Sequence, residues 1–122
     1  MELLLCHLVG DYVLQSHKMA YLKTQDFRWA FIHGCFYGLP FLVLSPSFNA
    51  LLVLVSTHIL IDHFKLADKW CRFYGVGHPG LWMKPGDAFT YPPPAIGLWL
   101  TIIVDNTFHL LINYMAFRTW PG

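Results

Sequence analysis

The chain has 122 residues, of which 56% are hydrophobic, 17% are aromatic and only 12% are charged. A soluble domain usually has about 25% charged residues. A soluble protein of this length could not hide so much apolar surface in one core, so the composition favours an integral membrane protein. The formal net charge of +1, without a basic arm, argues against binding of nucleic acid.

Four apolar segments are predicted to be helices, with the ranges 3–22, 29–44, 48–72 and 95–117. Each apolar stretch has about 16–22 residues, which is close to the length that spans a bilayer. Pro40 is expected to kink the second helix or end its regular part, and Ser47 is a candidate N-cap for the third. The range 73–94, rich in glycine and proline, is predicted to be a loop. The predicted fold class is all-α, a four-helix transmembrane bundle forming a single domain over residues 1–122.

The basic residues are distributed unevenly between the two ends of this bundle. Seven lie in or near the loops that join helices one to two and three to four: Lys18, Lys23, Arg28, Lys65, Lys69, Arg72 and Lys84. Only Arg118 falls at the opposite end. The positive-inside rule therefore predicts a multi-pass protein with both basic loops in the cytoplasm and both termini outside.

Three of the seven acidic residues lie within the apolar segments, and each has a histidine one helical turn away. The pairs are His7 with Asp11, His58 with Asp62, and His109 with Asp105. The order is reversed in the fourth helix, which crosses in the opposite direction to the first and third. The histidine is therefore nearer the outer face in all three pairs. An aspartate at such a depth is costly unless something neutralises it, which makes the pairs a candidate functional site.

Counting residues from the cytoplasmic helix ends, at 1.5 Å per residue, gives an expected level for each side chain. One level is predicted to hold Asp11, His58 and Asp105. About one turn nearer the cytoplasm are Asp62, Gln15 and His33, and about one turn nearer the outside are His7 and His109. The total spread is about 12 Å, which suits one site with supporting residues or two adjacent metal positions.

Carboxylates and imidazoles with this spacing are the groups from which helix bundles build metal sites. Nitrogen and oxygen ligands without thiolate suit zinc, manganese, iron or nickel, and we expect one or two divalent ions, zinc or manganese. The predicted ligands are His7, Asp11, His58, Asp62, Asp105 and His109. The predicted supporting residues, which would orient the ligands, are Gln15, His33 and Asn106.

A metal site of this kind can lower the pKa of a bound water and so supply a nucleophile for hydrolysis. On this hypothesis the protein hydrolyses a lipid or a phosphate ester, with Asp62, His58 and Asp105 as candidate catalytic residues. Lys18 and Lys65 follow the polar stripes at the cytoplasmic rim and would hold the anionic group of the substrate. Membrane lipid is the expected partner.

Two interpretations without catalysis remain open for the same residues. Interhelical hydrogen bonds can hold a membrane bundle together without any ligand, and His33 taken alone fits such a packing role. A proton or ion relay, or a transport protein for metal or protons, also uses intramembrane histidine and aspartate.

Four segments of the chain resemble a known family: CHLVGDYVLQSHKMAYLK, WAFIHGCFYG, THILIDHFK and DNTFHLLINY. They are similar to the small bacterial and phage membrane proteins of domain-of-unknown-function family 3307. The resemblance implies a membrane fold in the bacterial inner membrane and no particular reaction, because the family has no established activity. The positions it implies are His7, Asp11, Gln15, His33, His58, Asp62, Lys65, Asp105 and His109.

Asn106 stands where glutamine is expected in many members of that family. A looser likeness to membrane-bound metal-dependent hydrolases is an analogy only. The resemblance also keeps open a third class of function, a phage-encoded interaction protein that modulates a host membrane complex. A host membrane protein and a second copy of the chain, in a homo-oligomer, are the partners that remain open alongside lipid.

Overall fold

The computed structural model describes residues 1–77 and 94–122, and every regular element in these ranges is helical. The α-helices are α1 Glu2–Leu8, α2 His17–Leu22, α3 Phe27–Gly38, α4 Phe48–His63, α5 Leu66–Tyr74 and α6 Pro94–Thr119. A π-helical turn, Val9–Val13, follows α1, and a 3-10 helix, Leu39–Leu44, follows α3. The all-α prediction is confirmed for these residues. Most of the predicted loop 73–94, including Lys84, lies outside the described residues.

The first predicted helix, 3–22, is divided into separate segments. After α1 the backbone widens into the π turn, which is closed by a hydrogen bond from Leu14 N to Val9 O of 2.9 Å. Ser16 then adopts extended backbone, and its hydroxyl accepts a hydrogen bond from Met19 N at 3.2 Å. A serine in this conformation is a strong N-cap, so it begins a new helix, α2, instead of continuing the old one.

The second predicted helix has the irregularity that its proline predicts. The α-helical part ends at Gly38, and Pro40 lies in the first turn of the 3-10 helix that follows. Proline has no N–H and its ring clashes with the preceding turn, so it is tolerated at the start of a helical segment and not in its interior. Ser47 caps α4 as predicted, because its hydroxyl accepts from Ala50 N at 3.3 Å.

The third predicted helix, 48–72, is bent near its C-terminal end. Lys65 has φ 50, in the left-handed region that helices do not tolerate, and it separates α4 from α5. The two helices meet at an angle of 58°. The amphipathic α5 therefore leaves the direction of the apolar α4 instead of extending it.

Among the described residues, Phe27–Leu44 and Ala95–Thr119 are long and apolar enough to cross a membrane. The bent pair Phe48–His63 and Leu66–Tyr74 becomes a third span if it is counted as one. The structure therefore supports two or three of the four predicted spans, since the break near Ser16 leaves the N-terminal segment without one long helix.

The distribution of polarity is inverted relative to a soluble protein. Large apolar side chains are exposed along α6, among them Leu98, Trp99, Leu111 and Tyr114. The buried polar and charged side chains are His7, Asp11, His33, His58, Asp62, His109 and Asn113. An apolar exterior around a polar interior is the arrangement expected when lipid, and not water, surrounds the chain.

Two glycines allow the helices that carry the site to approach closely. A Cβ on Gly10 would lie 2.7 Å from the backbone oxygen of Tyr37, and a Cβ on Gly34 would collide with the side chain of Ile59. Glycine at these points brings the π turn against α3, and α3 against α4. The residues next in the chain, Asp11 and His33, are thereby brought to the same place.

Candidate metal centre

Four buried side chains from three separate segments converge in the interior of the helices. Asp11 comes from the π turn, His33 from α3, and His58 and Asp62 from successive turns of α4. Each offers one ligand atom, and these four atoms all lie within 4.8 Å of one another. The i,i+4 spacing of His58 and Asp62 puts both on the face of α4 that contacts α3 and α6.

The spacing of these atoms is close to that of a tetrahedral coordination shell. His33 Nε2 lies 3.0 Å from His58 Nε2 and 3.2 Å from Asp11 Oδ1. Asp62 Oδ2 lies 3.3 Å from both imidazole nitrogens, and His58 Nε2 lies 3.7 Å from Asp11 Oδ1. Zinc ligands at 2.0–2.1 Å in a tetrahedron would be about 3.3–3.4 Å apart. The donor atoms are therefore arranged as a small divalent ion requires.

Hydrogen bonds among these residues cannot satisfy all of their close contacts. His33 Nε2 has Asp11, His58 and Asp62 atoms all within 3.3 Å. One imidazole nitrogen can donate one proton or accept one, so it can satisfy only one of these neighbours well. Several acceptor atoms therefore face one point, and a shared cation at that point would satisfy them together.

A second group of possible ligands adjoins the first. Asp11, Asp105 and His109 also offer ligand atoms within 4.8 Å of one another. His109 Nε2 lies 3.5 Å from Asp105 Oδ2 and 3.1 Å from Asp62 Oδ1. The side chain of Asp105 is 26% exposed, whereas those of His109 and Asp11 are buried. This group is therefore the more accessible of the two.

Lys23 lies against the first group, although the sequence analysis assigned it no role beyond the positive charge of a loop. Its ammonium donates to Asp62 Oδ2 at 2.6 Å and lies 3.6 Å from Asp11 Oδ1. Burial by itself would lower the pKa of Lys23, but Asp62 and Asp11 raise it above the usual lysine value, so the side chain stays charged. Lys23 directly follows α2, beyond the break at Ser16, and no periodicity in the sequence reveals its contacts with the site.

The charges of the two groups leave room for a cation. Asp11, Asp62 and Asp105 carry three negative charges when ionised, and Lys23 supplies one positive charge. Histidine must be neutral to bind a metal, so the histidines add no charge in a metal-bound site. The remaining two negative charges match one divalent ion.

His7, a predicted ligand, is placed in a different set of contacts. Its Nε2 is 2.8 Å from Asn106 Oδ1, an acceptor, so this nitrogen carries the proton. Its Nδ1 is then free to accept from the hydroxyl of Tyr37 at 3.0 Å, and that hydroxyl accepts from Asn113 Nδ2 at 2.7 Å. Both ring nitrogens of His7 are used, which leaves no lone pair for a metal.

The remaining predicted residues take varied positions. His33, predicted to orient the ligands, lies among the ligand atoms themselves, and Asn106 contacts His7 and Tyr12. The Lys18 ammonium lies 4.7 Å from the centre of the Trp29 ring. The Gln15 side-chain oxygen is buried and has no hydrogen-bond partner among the described residues.

Tyr37 is a residue that the sequence analysis did not single out. Its ring stacks on the imidazole of His58, with centroids 3.5 Å apart and planes 3° from parallel. It thus holds one histidine of the first group by its face and His7 by its hydroxyl. Its place four residues after His33, on the same helix face, was the available signal.

A cleft of about 370 Å³ opens beside the two groups, on the side of the helix break. Its lining includes Asp62 and Asp105 from the groups themselves. The basic side chains in its wall are Lys23, Lys65 and Arg72. Arg72 is paired at 2.8 Å with Asp68, another lining residue, and Lys23 is paired with Asp62, so Lys65 is the basic side chain of the described lining that remains to attract an anion. A small anionic group could reach the exposed edge of the site.

Comparison with known proteins agrees with the resemblance of the first three sequence segments, which lie within the matched range. The family model described as "Protein of unknown function (DUF3307)" matches residues 1–80, a range that contains the whole of the first group. No match is found among curated proteins or among solved structures. Because the matched range covers more than half of the chain, this protein belongs to that family of unknown function.

Proposed function

We propose that this protein is a multi-pass protein of the bacterial inner membrane with a divalent metal site in its helical interior. One observation carries the proposal. Donor atoms of two aspartates and two histidines lie 3.0–3.7 Å apart in five measured pairs, inside an apolar exterior. Zinc and manganese are among the ions that suit this donor set.

The termini would lie on the outer side of the membrane and the basic loops in the cytoplasm. Leu3 and Phe117 pack on the same buried cluster as Phe41, and Ser47 donates to the backbone oxygen of Trp120 at 2.8 Å. These contacts put the two chain ends at the same end of the molecule. Lys23 and Lys65 lie beyond the site at the other end, as the positive-inside rule requires for a cytoplasmic face.

This topology requires the N-terminal segment, from α1 to α2, to complete a fourth crossing despite its break at Ser16. Reporter fusions at Trp120 and in the range 78–93 test it. Alkaline phosphatase should be active at the C-terminus and inactive in the loop, and a fluorescent protein should show the reverse. An alkaline phosphatase fusion that is active in the loop, or inactive at the C-terminus, would overturn the topology.

The chemistry that we propose is hydrolysis of a lipid or phosphate ester. A bound divalent ion would supply polarisation of the ester and a water of lowered pKa. Lys65 would attract the anionic group, and Asp105, at the mouth of the cleft, would position the water by accepting its hydrogen bond. His58 and Asp62 would hold the metal, and the ring of Tyr37 would fix the orientation of His58.

Metal analysis of the detergent-purified chain tests the site. We expect about one or two equivalents of zinc or manganese in the wild type, and a loss of at least one equivalent in Asp62→Asn. The matched control is Glu2→Gln, because that carboxylate is exposed at the start of α1 and does not line the cleft. A wild-type protein without stoichiometric metal would refute the proposal.

A transport or relay function is the second candidate, favoured by the polar contacts that continue outward from the metal site through Tyr37, His7 and Asn113. Phospholipid and polyprenyl-phosphate substrates distinguish it from hydrolysis. Turnover that is lost in Asp62→Asn supports the hydrolase. Metal binding without turnover, together with metal uptake into proteoliposomes, supports transport.

A further inference from the structure

The carboxylate of Asp62 faces two different sets of ligands with its two oxygens. Its Oδ2 lies 3.3 Å from both His33 Nε2 and His58 Nε2. Its Oδ1 lies 3.1 Å from His109 Nε2 instead. A carboxylate with one oxygen on each side of it is placed to bridge two neighbouring cations.

Asp11 has the same intermediate position. It belongs to the first group, with His33, His58 and Asp62, and also to the second, with Asp105 and His109. The two groups therefore share one aspartate outright and have a second, Asp62, between them. Sites that hold two metal ions about 3.5–4 Å apart use such shared ligands.

We propose that the site holds a pair of divalent ions bridged by Asp62 and Asp11, in place of a single ion. This inference rests on the metal site proposed above. The inner ion is held by Asp11, His33, His58 and Asp62. The outer ion is held by Asp11, Asp105 and His109, with Asp62 Oδ1 completing its ligands.

The two positions differ in access. The side chains of His33 and His58 are 1% exposed, so the inner position is closed. Asp105 is 26% exposed and lines the cleft, so the outer position opens onto it. Anything that enters the cleft meets the outer ion first.

The charges identify the class of ligand that enters. One divalent ion already balances the two negative charges that remain when the ammonium of Lys23 is set against the three carboxylates. A second ion adds two positive charges to a poorly solvated interior, which is costly unless an anion accompanies it. The outer ion and a doubly charged phosphate group should therefore bind together, each strengthening the other, as linked equilibria require. Lys65, in the wall of the cleft, favours the same ligand.

Manganese(II) titration of the full-length chain in detergent tests the pair, read by elemental analysis and by electron paramagnetic resonance. With inorganic phosphate we expect two manganese ions per chain and the spectrum of a magnetically coupled pair. Without phosphate, the second ion should bind at least tenfold more weakly. Replacing inorganic phosphate by phosphatidate in mixed micelles distinguishes the two sources of the phosphate group. Tighter binding of the second manganese ion with phosphatidate than with inorganic phosphate supports a lipid headgroup, and equal binding supports free phosphate.

Asp105→Asn is the matched variant, with Glu2→Gln as its control, because the Glu2 carboxylate is exposed at the start of α1 and does not line the cleft. Asp105→Asn should keep one manganese ion, lose the coupled spectrum and lose the response to phosphate, whereas the control should behave as wild type. The wild-type spectrum decides the question even if the variant does not fold. A single uncoupled ion in phosphate overturns the pair and leaves the metal site intact, whereas a protein that binds no manganese or zinc overturns both.

Discussion

Lys23 offers the sharpest test of how the buried charges are balanced, because it is the cation that the chain itself supplies to the site. Its ammonium is 2.6 Å from Asp62 Oδ2, and its side chain is 14% exposed. Lys23→Met keeps the apolar stem and removes the charge. Breaking a buried ion pair costs about 3–5 kcal/mol. The small residual exposure of Lys23 argues for the lower end, about 3 kcal/mol in the metal-free protein.

A bound metal should compensate for most of this loss. If the ion reduces the cost of the substitution to about 1 kcal/mol, the thermodynamic cycle requires metal binding to strengthen by about 2 kcal/mol. That corresponds to an affinity about 30-fold higher in Lys23→Met than in the wild type. The variant should therefore be less stable without metal and bind metal more tightly.

Unfolding in mixed micelles by added dodecyl sulfate, with chelator and with manganese, measures the first quantity. Competition against a metal-binding dye measures the second. Lys18→Met is the control, because the ammonium of Lys18 lies over the Trp29 ring, away from the carboxylates. An equal loss of stability with and without metal, or weaker metal binding in Lys23→Met, would refute the account of Lys23 as the internal counter-charge.

Three further substitutions test the packing around the site. Tyr37→Phe leaves His7 Nδ1 and Asn113 Nδ2 without their partner and should cost about 1–3 kcal/mol in the same unfolding assay, with metal stoichiometry unchanged. Loss of metal in this variant would contradict the assignment of the Tyr37 hydroxyl to packing alone. Gly10→Ala places a Cβ 2.7 Å from the backbone oxygen of Tyr37, which cannot move as a side chain could. It should cost about 2–3 kcal/mol and weaken metal binding, because Asp11 is next in the chain; unchanged metal affinity would contradict this. Ser16→Ala removes the cap of α2 and should lower the stability by about 1 kcal/mol, whereas Ser16→Asp should keep the wild-type stability. A Ser16→Ala variant as stable as the wild type would show that the cap is dispensable.

Most of the buried polar residues can be identified from the sequence, because a charge within an apolar segment is conspicuous without any structure. Their contacts cannot. The expected levels put His109 about two turns from Asp62, yet their side chains meet at 3.1 Å. Depth along a helix says nothing about rotation or tilt, and long imidazole side chains close the remaining distance. For the same reason His33, predicted only to orient the ligands, lies among the ligand atoms, whereas His7, predicted as a ligand, contacts Asn106 and Tyr37 instead.

Some of the local backbone features of the chain can be predicted from its sequence. Pro40 and Ser47 act where sequence rules put them, since each depends only on its own backbone. The division of the first helix escaped those rules. An apolar, helix-permissive segment gives no warning that Val9–Val13 will widen into a π turn, and such turns depend on what packs against them.

The amino-acid sequence by itself determined the helical class, the apolar exterior and the set of aspartates and histidines from which a site could be built. Those properties follow from composition and spacing along the chain. Only the tertiary structure decided which donor atoms meet, that Lys23 joins them, and that His7 is occupied elsewhere. The physical reason is that these contacts join residues far apart in the chain, whose approach depends on close packing at Gly10 and Gly34.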